Sequence, residues 1–248
     1  VFEGFRTARG IFRSLLIYYG DRSRAMAMDR LHGGFVRKGD QVFDIGAHVG
    51  DRVASFRRLG ARVVAVEPQP AMVKLLKAFY GRSDDVAIEA VAVGRRAGTT
   101  SMMINVDNPT VSTASPDFVS AARDAPGWET QRWTGSVQVP VTTLDALIGK
   151  YGAPVFIKID VEGFEEEALQ GLTFAVKTLS FEFTMIQRAV ALACIERCIA
   201  LGYTRFNAAL GESQIFVNAD WVGGDEIARW LTALPDAANS GDIYAAFG

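Results

Sequence analysis

No run of 18 apolar residues occurs in the 248-residue sequence, so no membrane-spanning helix is predicted. Cysteine is nearly absent, with Cys194 and Cys198 the whole complement. The two stand four apart in an apolar helical pattern without His or Cys companions nearby. That spacing makes a poor zinc site and is read as core packing. No disulfide framework is available, so a reducing, cytoplasmic compartment is expected. An excess of one charge is lacking too, since 26 Lys and Arg face 28 Asp and Glu, for a net charge of -2. Basic residues form no stripe interleaved with aromatics, and no N-P-P-Y-like motif occurs, which argues against a nucleic-acid partner. Internal repeats and low-complexity tails are missing as well.

What is present suits one large α/β domain, or one domain with a small annex, since 49% of the residues are apolar. Residues 1–34 read as an N-terminal helical extension, with helices over 5–19 and 22–34. Its first 20 residues are amphipathic, with Phe, Ile and Leu among arginines. They suit either a helix docked across the sheet edge or a membrane-surface helix. Residues 35–248 read as the main domain. Strands are predicted at Val42–Ile45, Arg62–Val66, Val86–Val93, Pro154–Asp160 and Val176–Phe183, with later ones at Tyr203–Asn207, Gln214–Val217 and Gly241–Phe247. Helical patterns separate most of them, which predicts a mostly parallel sheet covered on both faces. Residues 95–141 break the rhythm and read as an insertion between the third and fourth main strands. Within it Gly98–Val106 and Ser136–Val141 look like strands, and Asn108–Arg132 is polar and turn-rich. Trp128 and Trp133 are read as local packing rather than a substrate wall.

The most informative stretch is Val42-Phe43-Asp44-Ile45-Gly46-Ala47-His48-Val49-Gly50-Asp51, followed by Glu67-Pro68. An apolar strand ends in an acid, two glycines open a turn, and a helix follows. About twenty residues later a second apolar strand ends in Glu67, the spacing at which an acid meets ribose hydroxyls. Gly46 lets the backbone turn tightly against a ligand, and Gly50 does the same or lets helix and sheet approach. Unpaired amides at the helix start suit a carboxylate or phosphate. A dinucleotide site would require G-x-G-x-x-G, and His48 stands where the middle glycine belongs. Asp44 is awkward beside a pyrophosphate and sensible beside a sulfonium or ammonium. The pattern therefore favours S-adenosylmethionine over NAD. His48 either packs at the helix start or contacts the ligand.

A second cluster lies at Lys158-Ile159-Asp160-Val161-Glu162-Gly163-Phe164-Glu165. Lys158 and Asp160 face the same side of a strand, and a charge within an apolar strand requires a partner. Asp160 is assigned beside the methionine moiety and the acceptor, with Glu162 in the catalytic shell. Lys158 either holds Asp160 or polarises the acceptor oxygen. The competing reading is a Lys–Asp pair that only fixes the loop. A divalent ion on Asp44, Asp160, Glu162 and Glu182 is a further alternative, although no metal is expected. Glu89 and Ala90, on the third strand, are assigned to the adenine. Ser112 and Thr113 are weaker candidates for the cofactor or substrate edge.

With these residues in view, the chain resembles the FkbM family of S-adenosylmethionine-dependent methyltransferases. The family pattern D-I-G-A-N-x-G is similar to residues 44–50, with His48 in place of Asn. Glu67-Pro68-Gln69-Pro70 matches E-P-x-P, and residues 91–94 fit its V-A-V-G exit from the third strand. Thr143-Leu144-Asp145 matches T-L-D, and residues 158–165 are close to K-I-D-V-E-G-x-E. Gly171, Glu182 and Gly241–Ala245 match later elements. The resemblance implies a Rossmann-like class I methyltransferase fold with a seven-stranded sheet and an antiparallel last strand. It implies donor binding by Asp44, Gly46, Ala47, His48, Gly50, Glu67, Pro68, Glu89, Ala90 and Asp160. It also implies methylation of a hydroxyl on a small molecule, sugar or glycolipid. An NAD- or nucleotide-sugar-dependent enzyme and a non-catalytic interaction module are the alternatives. A small-molecule or carbohydrate substrate is the expected partner. The sequence leaves room for a homodimer and for peripheral membrane contact through the N-terminal helix.

Overall fold

The computed structural model describes residues 2–247, with side chains from residue 9 onward. The side chains of residues 1–8, part of the amphipathic opening segment, and Gly248 lie outside the described residues. Two helices, α1 (Phe2–Tyr19) and α2 (Arg22–His32), precede the first strand. Asp21 caps α2 by accepting from the amides of Ser23 and Arg24. The alternation of strand and helix then builds β1 (Gln41–Ile45), α3 (Asp51–Arg58), β2 (Arg62–Val66), α4 (Pro70–Tyr80) and β3 (Val86–Glu89). After these come β4 (Ala92–Val93), β5 (Gly98–Ile104), α5 (Pro116–Arg123), β6 (Gly135–Thr142), α6 (Leu144–Tyr151), β7 (Phe156–Ile159) and α7 (Glu165–Gln170). The chain continues through β8 (Thr178–Thr184), α8 (Arg188–Ala200), β9 (Arg205–Leu210), α9 (Gly224–Ala233) and β10 (Ser240–Ala246).

Seven strands form the main sheet in the order β3-β2-β1-β7-β8-β10-β9. Adjacent strands from β3 to β8 are parallel, and β10 runs antiparallel to both of its neighbours. This is the mostly parallel, doubly covered sheet that the sequence predicts, with the antiparallel last strand that the family resemblance implies. Alternation along β1 sends Phe43 and Ile45 to one face and Val42 and Asp44 to the other. The first face packs against α6, α7, α8 and α9 through residues such as Leu147, Leu169, Cys194 and Ile227. The second packs against α3 and α4 through Val53, Phe56 and Leu76. Each fully buried Leu, Ile or Phe in these layers contributes about 1.5–3 kcal/mol. Both cysteines lie in the first layer as free thiols.

Three segments differ from the sequence reading. The predicted strand Val86–Val93 divides into β3, in the main sheet, and β4, in a separate three-stranded sheet ordered β4-β6-β5. The polar stretch 108–132 contains a short 3-10 turn at Pro109–Val111 and the helix α5. Ser115 caps α5 by accepting from the Phe118 amide, and Pro116 starts it. Residues 214–217 do not build a strand, and Phe216 only bridges Ala209. Among the described residues no helix is long and apolar enough to cross a membrane.

Candidate active site

The chain moves outward from β1 in two directions, to β2 and β3 on one side and to β7 and β8 on the other. Ligands bind at such a switch point, beyond the carboxyl ends of the strands. There the sheet face carrying Val42 and Phe156 turns from apolar to charged. Asp44 and Lys158 are register partners. One row further out, Asp160 follows β7, while Glu182 on β8 pairs with Asp242 on β10.

A cavity of about 830 Å³, counting its open mouth, occupies this edge. Gly46, on the cavity wall, has φ +87°, and a Cβ there would stand 1.7 Å from the Asp160 carbonyl oxygen. The Gly46 and Ala47 amides both donate to the Val66 carbonyl, closing the turn. His48 has φ +44°, a left-handed conformation that Asn and His tolerate better than most residues. The replacement of the family's Asn therefore preserves the turn. Its amide donates to Glu67 Oε2 at 2.9 Å, and the Gln69 amide donates to Oε1 at 2.8 Å. Burial pushes Glu67 up to about 7, against the pull of these two amides. Burial also lowers His48 to about 4, so its imidazole is neutral at pH 7. The His48 Nε2 is buried without a partner, and its ring meets Tyr18 edge-on at 5.6 Å.

The second cluster adjoins this turn. Lys158 is 2% exposed, and its Nζ lies 2.6 Å from Asp242 and 3.2 Å from Asp160. Burial opposes the ammonium, but the two aspartates overcome it and raise the Lys158 pKa. Burial likewise works against the Asp160 carboxylate, yet Lys158 and Arg52 hold it below the ordinary range. Arg52 reaches Asp160 at 3.9 Å and also binds Asp51 and Glu212. Glu162 and Glu182 are driven well above the ordinary range, first by burial and then by the Asp160 charge. Burial and the Asp160 charge thus act against the ionised form of both glutamates, while Lys158 and Arg52 favour that of Asp160. Glu162 has φ +54°, and its carbonyl accepts from Thr113 Oγ1 at 2.6 Å. Left-handed backbone at a non-glycine residue is a strain that clusters at functional sites. Glu165 Oε1 accepts from the amides of Val161 and Gly163, which fixes the loop from within.

The structure brings Gly46, His48, Glu67, Pro68, Asp160 and Glu162 onto the cavity wall. It does not bring all the predicted residues there. Asp44 lies beneath the wall, fully buried with both oxygens unpartnered, and burial raises it to about 7. Lys158 is also beneath it, held by the two aspartates, so its Nζ does not border the space. Ala47 and Gly50 shape the turn from outside the cavity. Glu89 and Ala90 do not line it either: Glu89 accepts from Tyr151 at 2.6 Å and binds Lys150, which draws its side chain away. Val91, Ala92 and Val93 line the wall where those two were placed. Ser112 lines the cavity, whereas Thr113 holds the Glu162 loop. Neither tryptophan borders the cavity. Trp133 Nε1 donates to the Val111 carbonyl, and Trp128 packs edge-on against Phe118.

Sequence reasoning missed Tyr18, Arg52, Glu212 and the role of Asp242. Only Asp242 carried a signal, as a charge entering an otherwise apolar strand. The three carboxylates of Asp160, Glu162 and Glu182 bring ligand atoms within 4.8 Å of one another, and they are the group among the described residues able to hold a divalent ion. A methyl-donor cation fits the same chemistry. The turn at Gly46 packs directly on the Asp160 backbone, and Glu67, Asp160, Glu162 and Glu182 line the cavity, a set of acids suited to a diol and a sulfonium.

Residues 44–233 match the family described as Methyltransferase FkbM domain. Among solved structures, a precorrin-6y C5,15-methyltransferase from Geobacter metallireducens is 15% identical, with 91% of this chain and 87% of that chain covered at a TM-score of 0.39. Fibrillarin from Aeropyrum pernix, solved with bound S-adenosyl-L-methionine, is 9% identical over 86% of this chain and 68% of that chain, with a TM-score of 0.45. A TehB-like SAM-dependent methyltransferase from Corynebacterium glutamicum is 11% identical over 90% and 88%, with a TM-score of 0.44. No curated protein matches the sequence.

Proposed function

The chain belongs to the FkbM family of S-adenosylmethionine-dependent methyltransferases, and from that membership we propose that it methylates a hydroxyl of a small molecule, sugar or glycolipid. S-adenosylmethionine supplies an electrophilic methyl group on its sulfonium. The residues around it must bind the donor, orient the acceptor and take up the hydroxyl proton as the new bond forms. Gly46, His48 and Glu67 are assigned to the nucleoside end of the donor. Asp160 is assigned to the reacting end, as the group that orients the acceptor and receives its proton. Glu162 borders the same space, and its carboxyl is assigned to the acceptor side. Lys158 acts through Asp160 as a positioning residue.

The observation that carries this reading is the Asp160 carboxylate on the cavity wall, held between Lys158 and Arg52. Calorimetric titration should show S-adenosylmethionine binding and no binding of NAD. Asp160→Asn should lower methyl transfer to a hydroxyl acceptor by at least about tenfold, because a proton acceptor of this kind contributes that much or more. Its circular dichroism should match the parent. Parental turnover in the variant would remove Asp160 from the mechanism.

The close approach of Asp160, Glu162 and Glu182 favours a second reading, in which a divalent cation aligns the acceptor. We hold the donor cation, Lys158 and Arg52 sufficient to balance the acids of this site. Turnover should then persist after treatment with EDTA. Its loss, with recovery on adding magnesium or manganese, would establish the metal-dependent reading instead. The two buried free thiols fit a reducing compartment, and cytoplasmic placement is part of the proposal. Peripheral contact of α1 with a membrane belongs to it as well.

A further inference from the structure

Helix α1 has two unlike faces. Its inward face packs on the protein, with Gly10 so close to Pro109 that a Cβ would stand 2.8 Å from the ring. Ser14 is buried on that face. Tyr18, one turn further on, forms part of the cavity wall and lies under the Arg24 guanidinium at 4.6 Å. The outward face is apolar and uncovered. Phe12, Leu16 and Ile17 are 62%, 58% and 52% exposed. Arg9 and Arg13 are exposed on the same face, since 9, 12, 13 and 16 follow helical spacing. Residues 9–20 contain no acid.

The apolar surface continues beyond the helix. Tyr19 is 41% exposed, and its hydroxyl lies 3.3 Å from that of Tyr80. Phe79, also exposed, meets the Tyr80 ring edge-on. Arg57 lies over the same ring at 5.7 Å. Large apolar side chains in water, flanked by arginines on a helical stretch, 9–20, that contains no acid, match a surface that offers acyl chains beneath anionic phosphates. An apolar protein partner would not require the arginines, and a basic one would be repelled by them.

We propose that the outward face of α1 rests on an anionic lipid bilayer, with Phe12, Leu16 and Ile17 entering the acyl boundary and Arg9 and Arg13 meeting lipid phosphates. Tyr18 projects from the opposite side of the helix, so the cavity wall would stand about 10–12 Å from the lipid, one helix diameter. An acceptor anchored in the bilayer is then the class the enzyme meets. That consequence rests on the methyltransferase reading; the docking does not.

Co-sedimentation of the full chain with phosphatidylcholine vesicles, with and without phosphatidylglycerol, tests the docking. Anionic vesicles should bind at least about tenfold more tightly, with the preference fading as salt rises. The double variants Phe12→Gln/Leu16→Gln and Arg9→Gln/Arg13→Gln should each weaken vesicle binding by about tenfold or more. Both should bind S-adenosylmethionine as the parent does, because these side chains face away from the cavity. Equal binding to both vesicle types would overturn the proposal, as would parental vesicle binding by both variants. Conversion of a dimer to a monomer by the apolar variant would assign the face to a second copy of the chain. Vesicle binding without donor binding would support the docking and defeat the methyltransferase reading instead.

Discussion

Lys158→Met is expected to destabilise the protein by about 3–5 kcal/mol at pH 7, the usual cost of leaving a buried charge without its partner. Methionine fills much of the space of the lysine stem, so the loss would be electrostatic rather than a cavity effect. The ammonium stands between Asp160 and Asp242, and neither has another cation as near. The pH dependence identifies the cause. In the parent, Asp160 is held below its ordinary value, so its contribution is present above about pH 4 and fades as pH falls through the lower folded value. Asp242 has the opposite sign, because burial raises it despite Lys158. Its contribution is present below about pH 4 and is lost as pH rises through the raised folded value. Without Lys158 both aspartates should take the second sign. The deficit of the variant, measured by urea denaturation, should therefore widen from pH 5 to pH 8. Adding Asp242→Asn should recover part of it. A deficit independent of pH would point to packing and refute the electrostatic account. Turnover should fall with stability, since Asp160 loses the group that positions it.

Gly46→Ala should abolish measurable S-adenosylmethionine binding, a loss of at least about a hundredfold, or about 2.7 kcal/mol. Two effects act together. A left-handed backbone at alanine costs about 1–2 kcal/mol. The new methyl group would also fall on the Asp160 carbonyl oxygen, which is backbone and cannot rotate away. Relief requires β1 and β7 to part at the point where the Asp160 amide donates to the Ile45 carbonyl. That movement would disturb the nucleoside turn and the reacting carboxylate at once. Gly39→Ala separates the two effects. Gly39 has φ +88° with nothing within 4 Å of its added Cβ, so it carries only the backbone strain. It should lose about 1 kcal/mol of stability and keep parental donor affinity. Donor binding by Gly46→Ala at parental strength would place the donor elsewhere.

These effects also mark where the sequence could be read and where it could not. The apolar run ending in Asp44, the glycines and the second run ending in Glu67 are local patterns, and local patterns specify the strand–turn–helix directly. The parallel sheet follows from their alternation with helices. Asp242 is 84 residues from Lys158, and no periodicity links the two. Arg52 stands in an ordinary first turn of a helix, where a cation facing solvent looks the same in sequence as one facing Asp160. Glu89 was misplaced because the run 86–93 contains two strands in different sheets, so the edge of the cavity falls at 91–93. Helix α5 had its cap in Ser115-Pro116, but polar composition obscured it. The left-handed Glu162 was invisible because the surrounding fold, rather than its residue type, imposes that conformation.

Strand β10 is the last of the seven to be synthesised, yet it lies inside the sheet, between β8 and β9. Its Asp242 completes the charge balance of Lys158. Until that strand emerges, β9 lacks its sheet partner and the lysine lacks its nearest counter-charge. The parallel half can form progressively on the ribosome, while closure of the sheet must await the final strand. Long-range pairing of this kind is slow relative to local helix formation. The half-built sheet would therefore expose an unpaired β8 edge during translation, which is the interval when aggregation competes with folding.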